Sequence, residues 1–299
     1  MDNGGIGQGA QGMQAEERVG RIEHDIITRY RKALWTPFTK ALGDYELVRD
    51  GDRIAVCVSG GKDSMLLAKL FQELSRHGRR NFEVEFLSMD PGYPDYARQR
   101  IDENAQILGI PLRKVSTNIF RIVERMEGKP CYPCARMRRG ALYSAARDLG
   151  CNKIALGHHF DDVIETILMS MLYGGQVKTM MPKVHSTNFE GMELIRPLYL
   201  VREADIISWR DDNGLEFIHC ACPLSDGVSS CDAGSSSKRA TVKALIARLA
   251  AEDPYIESSI FHSVANVHLD AVTGWRTAGV AHSFLERYDQ GWEDFAGKE

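Results

Sequence analysis

The chain lacks any uninterrupted apolar run approaching 18 residues, so no segment is expected to cross a membrane as a helix. Its start lacks the cationic-then-apolar signature of a secretion signal, and a cytoplasmic protein with no membrane partner is the expectation. An excess of positive charge is missing too: 37 Lys and Arg face 41 Asp and Glu, a net charge of -4. A nucleic acid would meet a weakly repulsive overall field, which argues against a pure nucleic-acid-binding module and demands a local basic patch for any such contact. Cysteines are few and odd in number, seven. Without an export signal they point away from a disulfide scaffold and toward metal or thiol chemistry. The first 14 residues hold five glycines and almost no apolar bulk, so a disordered tail is expected over 1–15.

What is present can bury a full core: 299 residues, 43% hydrophobic and 26% charged. Ile22, Ile26, Ile27, Tyr30, Leu34, Phe38 and Leu42 recur at helical spacing, predicting an amphipathic packing helix kinked at Pro37 within an N-terminal segment 16–48. Over 49–218, strand-like runs at 53–58, 82–89, 112–115 and 153–156 alternate with helical patterns at 63–76, 95–108, 135–149 and 161–172. Such alternation implies parallel crossovers, so the predicted fold is α/β, a doubly wound and mainly parallel sheet with ligands beyond the carboxyl ends of its strands. Ser59, the Met89-Asp90 pair and the Gly157-His158 pair fall at such ends and are expected to be neighbours in space. Further helices are predicted near 202–213, 238–251 and 255–268, the last two within a helical C-terminal region 219–299. Its final aromatics, Trp275, Phe284, Tyr288, Trp292 and Phe295, are expected to dock on the body.

The most informative stretch is Ser59-Gly60-Gly61-Lys62-Asp63-Ser64, set between an apolar strand and a helix. At such a junction the N–H groups of the turn and of the first helical turn lack internal partners, and the helix dipole adds positive charge, so a phosphate is favoured there. Gly60 and Gly61 allow close backbone approach, Lys62 supplies a mobile cation, and the Ser59 and Ser64 hydroxyls can donate to the anion. The spacing is not that of the Walker loop. It resembles the PP-loop of the ATP pyrophosphatases, which cleave ATP between the α and β phosphates and adenylate an oxygen of their substrate.

Cys131-Tyr132-Pro133-Cys134 stands just before the helix predicted at 135–149, near Arg136, Arg138 and Arg139. Nearby cations and a helix N-terminus favour thiolate, the form that binds metal. Cys220-Ala221-Cys222 follows much later, then Cys231. A redox pair, a zinc site built from Cys131, Cys134, Cys220 and Cys222 or His219, and a cysteine-held iron-sulfur cluster are all open on spacing alone. Cys57 and Cys151 read as buried small hydrophobes. The three arginines are expected to meet RNA phosphates or a cluster's negative charge, or to form a solvated helix face.

A family likeness is carried by several motifs in order. These are Cys131-Tyr-Pro-Cys-Ala-Arg-Met-Arg-Arg-Gly-Ala-Leu-Tyr followed by Gly150; Lys153-Ile-Ala-Leu-Gly-His-His-Phe-Asp-Asp162; Met171-Leu-Tyr-Gly-Gly175; Ile195-Arg-Pro-Leu198; and Arg202-Glu203. Over roughly 50–222 the chain resembles the TtcA family, the tRNA 2-thiocytidine synthetases, and more loosely the related TtuA 2-thiouridine enzymes. The resemblance implies an ATP-dependent tRNA thiolase that uses Mg²⁺ and a 4Fe-4S cluster, with tRNA as partner, a sulfur donor that is a cysteine desulfurase or free sulfide, and a homodimer as one assembly. Carried over, Ser59, Gly60, Gly61, Lys62, Asp63 and Ser64 hold the phosphates and Met89 and Gly157 line the adenine and ribose. Lys62, Asp63 and Asp162 act in catalysis, Asp63 and Asp162 through Mg²⁺, and Cys131, Cys134 and Cys222 hold the cluster, with Cys220 the rival for the third place. The chain departs from the family's usual Cys-x-x-Cys-Gly-Ser-Gln at the later cysteines, where it has Cys220-Ala-Cys222-Pro-Leu-Ser-Asp-Gly, and that bears on the third ligand and on the RNA substrate. Other readings are a lysidine synthetase-like amidoligase, cluster-dependent sulfur transfer to or from a free thiolated base, and a zinc-stabilised nucleotide binder.

Overall fold

A computed structural model describes residues 6–78, 80–127, 131–218 and 238–288. Six strands form one sheet: β1 (Arg53–Cys57), β2 (Glu83–Asp90), β3 (Leu112–Ser116), β4 (Lys153–Ala155), β5 (Lys183–His185) and β6 (Glu193–Ile195). Their order is β3-β2-β1-β4-β6-β5. All neighbours run parallel except β5 and β6, which pair antiparallel at the edge. The doubly wound sheet expected from the sequence is present, and β5 and β6, three residues each, are additions. Strands so short carry no periodicity to read.

The central strand shows why its sequence is nearly all apolar. Ile54, Val56 and Val58 pack with Leu66, Leu67 and Phe71 on one face. Ala55 and Cys57 pack with Tyr143, Ala146 and Cys151 on the other. A parallel strand covered on both faces must be apolar at every position, since alternation only tells the two layers apart. Burial pushes the Cys57 thiol up to about 12 and the Cys151 thiol up to about 11, so both stay neutral, as small core hydrophobes should.

The helices supply the layers. They are α1 (Ile6–Ile27), α2 (Thr36–Asp44), α3 (Lys62–His77), α4 (Asp95–Ile107), α5 (Ile119–Glu124), α6 (Cys131–Asp148), α7 (Phe160–Gly174), α8 (Glu203–Asp212), α9 (Lys238–Glu252), α10 (Ile256–Ser263) and the short α11 (Leu285–Tyr288). The first helix starts at Ile6, inside the stretch expected to be without structure; extending an already nucleated helix is far cheaper than starting one. It does not kink at Pro37. The helical pattern changes earlier, at a π-helical turn Arg31–Trp35, and Pro37 lies in the first turn of α2, which follows it directly.

Two further expectations fail. The Cys131–Cys134 pair lies within the first turn of α6 and not ahead of it. Among the C-terminal aromatics, Trp275 in the hairpin of β7 (Gly274–Thr277) and β8 (Val280–Ser283) stacks on His282 under Arg287, and Phe284 packs on Tyr288. These rings satisfy one another locally instead of docking on the body; Trp292 and Phe295 lie outside the described residues. Among the described residues no helix is long and apolar enough to cross a membrane.

Candidate active site at the loop after the first strand

The sheet order reverses at β1, whose neighbours are β2 on one side and β4 on the other. That switch point opens a crevice beyond the strand ends, the standard ligand position of such sheets. The chain there turns from β1 into α3 through Ser59, Gly60 and Gly61. Gly60 has φ +90°, and a Cβ on it would come 2.6 Å from Ile101 Cγ1 and 3.0 Å from Ile218 Cδ1, so glycine is required twice over. Gly61 has an ordinary φ of -82°, and a Cβ on it would make only an ordinary contact, 3.8 Å from Ser59 Oγ.

The serines behave differently from the expectation. The Ser59 N–H and Oγ–H both point to Ser64 Oγ (3.1 and 3.2 Å), and Ser64 Oγ donates to the Gly61 carbonyl at 2.9 Å. Each hydroxyl has one proton, and both are engaged in bracing the loop. Among the described residues the N–H groups of Gly60, Gly61, Lys62 and Asp63 have no such acceptor, so the backbone and Lys62 remain for an anion.

A cavity of about 450 Å³ opens beside this loop. It is lined by Ser59, Asp63 and Ser64 of the loop, by Leu87, Met89, Leu156 and Gly157 at the strand ends, and by Ala135, Arg138, Arg139 and Leu142 of α6. His158 and Asp162 line it as well. Six residues assigned from the sequence, Ser59, Asp63, Ser64, Met89, Gly157 and Asp162, thus share one space. Gly157 is pressed on the loop itself: a Cβ there would lie 3.0 Å from the Asp63 carbonyl carbon and the Ser64 nitrogen. Asp90 is engaged elsewhere, accepting from the N–H groups of Gly92 and Tyr93 and pairing with Arg98, which together hold its carboxyl below the usual range against the effect of burial.

Charge is arranged in a chain behind the loop. Lys62 Nζ lies 3.0 Å from Glu203 and 3.2 Å from Asp63, and Lys243 Nζ lies 2.5 Å from the other Glu203 oxygen. Burial alone would lower the Lys62 ammonium, but Asp63 and Glu203 outweigh it and raise it above its ordinary value. Burial would raise Glu203, but Lys243 and Lys62 drive it down to about 2. Asp63 is raised, first by burial and also by the charge of Asp162, with Lys62 and His159 opposing. Its Oδ1 is buried without a hydrogen bond, although Lys62 stands within ion-pair distance. His159 lies between three carboxylates, 3.8 Å from Asp63, 3.7 Å from Asp161 and 3.6 Å from Asp162. His158 is lowered to about 4, chiefly by burial, and is neutral near pH 7.

The two neighbouring aspartates separate cleanly. Asp161 is tied down by Arg202 and by the Glu203 N–H at 2.7 Å, whereas Asp162 faces the cavity and pairs with Arg239 of α9. Glu203, Arg239 and Lys243 were not assigned roles from the sequence. Only Glu203 had a signal, its place in the Arg202-Glu203 motif.

On α6, Cys131 is exposed and Cys134 buried. Cys131 shares a helix face with Ala135, Arg138 and Leu142, at i+4, i+7 and i+11, all of which line the cavity. Cys220 and Cys222 lie outside the described residues. The last described residue before them, Ile218, lies over Gly60.

A parallel sheet with an anion-binding glycine turn at its switch point defines a nucleotide-binding domain of the PP-loop class, and the family model described as a PP-loop domain matches residues 31–222. Curated relatives named tRNA-cytidine(32) 2-sulfurtransferase align over most of the chain. The Syntrophotalea carbinolica protein is 38% identical over 76% of this chain and 86% of its own length, and the Pelobacter propionicus protein is 40% identical over 77% and 83%. The chain belongs to the PP-loop family of the tRNA-cytidine(32) 2-sulfurtransferases. Among solved structures, the U34-tRNA thiolase NcsA from Methanococcus maripaludis, determined with its [4Fe-4S] cluster, superposes with a TM-score of 0.61 at 20% identity, covering 84% of this chain and 78% of that one. At that identity the likeness speaks for the fold alone.

Proposed function

We propose that the protein is an ATP-dependent tRNA sulfurtransferase that adenylates a pyrimidine carbonyl and replaces its oxygen by sulfur. The observation that carries this reading is the shared cavity: residues of the phosphate-binding loop and of the cysteine-bearing helix α6 line the same space. ATP fits the residues present. The strand-end lining of Leu87, Met89, Leu156 and Gly157 suits an adenine ring, and the unengaged N–H groups with Lys62 suit its phosphates.

In this reading the substrate carbonyl oxygen attacks the α-phosphorus and pyrophosphate departs, its charge met by the loop amides and Lys62. Sulfide sulfur then adds to the activated carbon, and the former carbonyl oxygen leaves with AMP. Asp63 and Asp162 would hold Mg²⁺: two carboxylates around an unbonded, buried Asp63 Oδ1 are hard oxygen donors that a divalent cation would relieve. Cys131 and Cys134, in one helical turn beside the cavity, would hold a 4Fe-4S cluster together with Cys222, with Cys220 the alternative third ligand. Such a cluster, held by three thiolates, would supply the sulfur at its open iron. Free sulfide would recharge it directly, a cysteine desulfurase would do so through sulfane sulfur that a thiol reductant brings to the sulfide level, and a homodimer is the assembly proposed.

The test is reconstitution under anaerobic conditions with ATP, sulfide and an unmodified tRNA transcript, followed by mass spectrometry of the digested nucleosides. A 2-thiocytidine peak with one AMP per thiolated base is expected. A colourless, iron-free protein that turns over ATP without thiolation would favour the amidoligase reading instead.

A further inference from the structure

The thiolation reading leaves one conspicuous residue without a task. Tyr132 stands between the two cysteines in the first turn of α6, and 77% of it is exposed. Among the described large apolar side chains none is more exposed, although Tyr255, Tyr288 and Tyr96 come close, so it is the surroundings of the ring that carry the argument. Arg136 and Arg139 lie at i+4 and i+7, on the same side of the helix, and both are exposed. Arg139 also lines the nucleotide cavity. No acidic residue occurs in α6 before Asp148, in a chain whose net charge is negative.

Arg98 and Arg100 on α4 and Arg113 on β3 each have a carboxylate partner, whereas Arg121 on α5, which packs against α6, has none among the described residues. Among the described residues neither Arg136 nor Arg139 has one, and Arg138 donates only to the Tyr93 hydroxyl at 3.2 Å. An aromatic face followed by uncompensated guanidinium groups is the chemistry that binds single-stranded RNA: bases stack on rings, and phosphates sit on arginines.

We infer that Tyr132 is the stacking platform for the target base of the tRNA, with Arg136 and Arg139 holding the flanking phosphates and leading the strand to the cavity mouth. This rests on the tRNA reading above and adds the residue that receives the base. An unpaired pyrimidine laid on Tyr132 would have Cys131 and Cys134 on either side in sequence and the ATP cavity one helical turn away, at Ala135. The position explains how one base could be presented to both halves of the chemistry. The phenol hydroxyl has no part in it, only the ring face.

The experiment compares binding of the cluster-loaded, full-length protein to two transcripts: a tRNA with cytidine at position 32, and the same tRNA made abasic there. Wild type should bind the intact transcript about 5- to 100-fold more tightly, the range expected for one stacked base. Tyr132→Phe should keep that discrimination, and Tyr132→Ala should lose it while retaining iron and ATP binding. Arg136→Ala should leave the discrimination intact and reduce the slope of log affinity against log salt by about 0.7–0.9, the loss of one phosphate contact. Equal binding of the two transcripts by wild type, or undiminished discrimination by Tyr132→Ala, would overturn the assignment. Should wild type bind ATP but neither transcript at low salt, the tRNA reading itself falls, and the stacking assignment with it; the two failures are therefore distinct.

Discussion

Glu203→Gln is the most informative substitution in the charge chain behind the loop, because stability and ATP affinity should move in opposite directions. In the folded protein Glu203 ionises at about 2 against an ordinary 4.5, a gap of about 2.5 pH units. At about 1.4 kcal/mol per unit that is at most about 3.5 kcal/mol of stabilisation at pH 7. Lys243, one of the two partners, is 57% exposed, so solvent screening reduces the expected loss to about 1–2 kcal/mol. The folded pKa lies below the unfolded one, so the contribution is complete above about pH 4.5 and fades as pH falls toward 2. Lys62, meanwhile, must leave Glu203 to reach a phosphate. Without that 3.0 Å ion pair, ATP should bind a few-fold more tightly. Urea unfolding at pH 7 measures the first effect and equilibrium dialysis with ATP the second. A variant with an unchanged midpoint and unchanged ATP affinity would refute the idea that Glu203 restrains Lys62; one that loses both stability and affinity would show a packing role instead.

The other predictions probe the loop, the proposed metal ligands and the buried histidine. Gly60→Ala forces a Cβ to 2.6 Å from Ile101 at φ +90° and should destabilise by about 2–4 kcal/mol and abolish ATP binding, whereas Gly61→Ala, at an ordinary φ with only an ordinary contact to Ser59, should change stability by less than about 1 kcal/mol; thermal unfolding of the pair decides it. Asp63→Ala should block AMP release yet keep the iron, and steady AMP production by that variant would contradict its role at Mg²⁺. Cys131→Ser should lose the visible absorption of the cluster while ATP still binds, and unchanged iron content would remove it as a ligand. His158 takes its proton near pH 4 when folded and near 6.5 when unfolded, so acidification through that window should destabilise wild type more than His158→Gln, as unfolding midpoints at pH 7.5 and 5 would report.

What could be read from the sequence was what is local. Strand β1, the glycine turn and α3 are consecutive in the chain, and the apolar run, the two glycines and the helical pattern each carry their own signal. The spatial meeting of Ser59, Met89 and Gly157 was also legible, since a parallel sheet aligns all strand carboxyl ends whatever their separation in sequence. The details that failed depended on geometry that spacing does not encode. The sequence also carried no sign that the Ser59 and Ser64 hydroxyls point at each other and at Gly61, although both residues line the cavity.

The partners missed are all contributed by docked helices. Lys62 meets Glu203 across 141 residues, and Arg239 reaches Asp162 and Glu165 from α9, beyond the matched family region. Nothing in the sequence around Arg239 separates it from an ordinary helix-surface cation, because its function arises only when α9 packs on α7. Yet that contact decides what Asp162 can do. With Arg239 on Oδ1 and the His159 N–H on Oδ2, Asp162 is held in place before any cation arrives, while Asp63 keeps an unbonded oxygen. The site is thus prepared by pairing one carboxylate fully and leaving the other incomplete, an asymmetry that a divalent cation, entering from the cavity both residues line, would resolve.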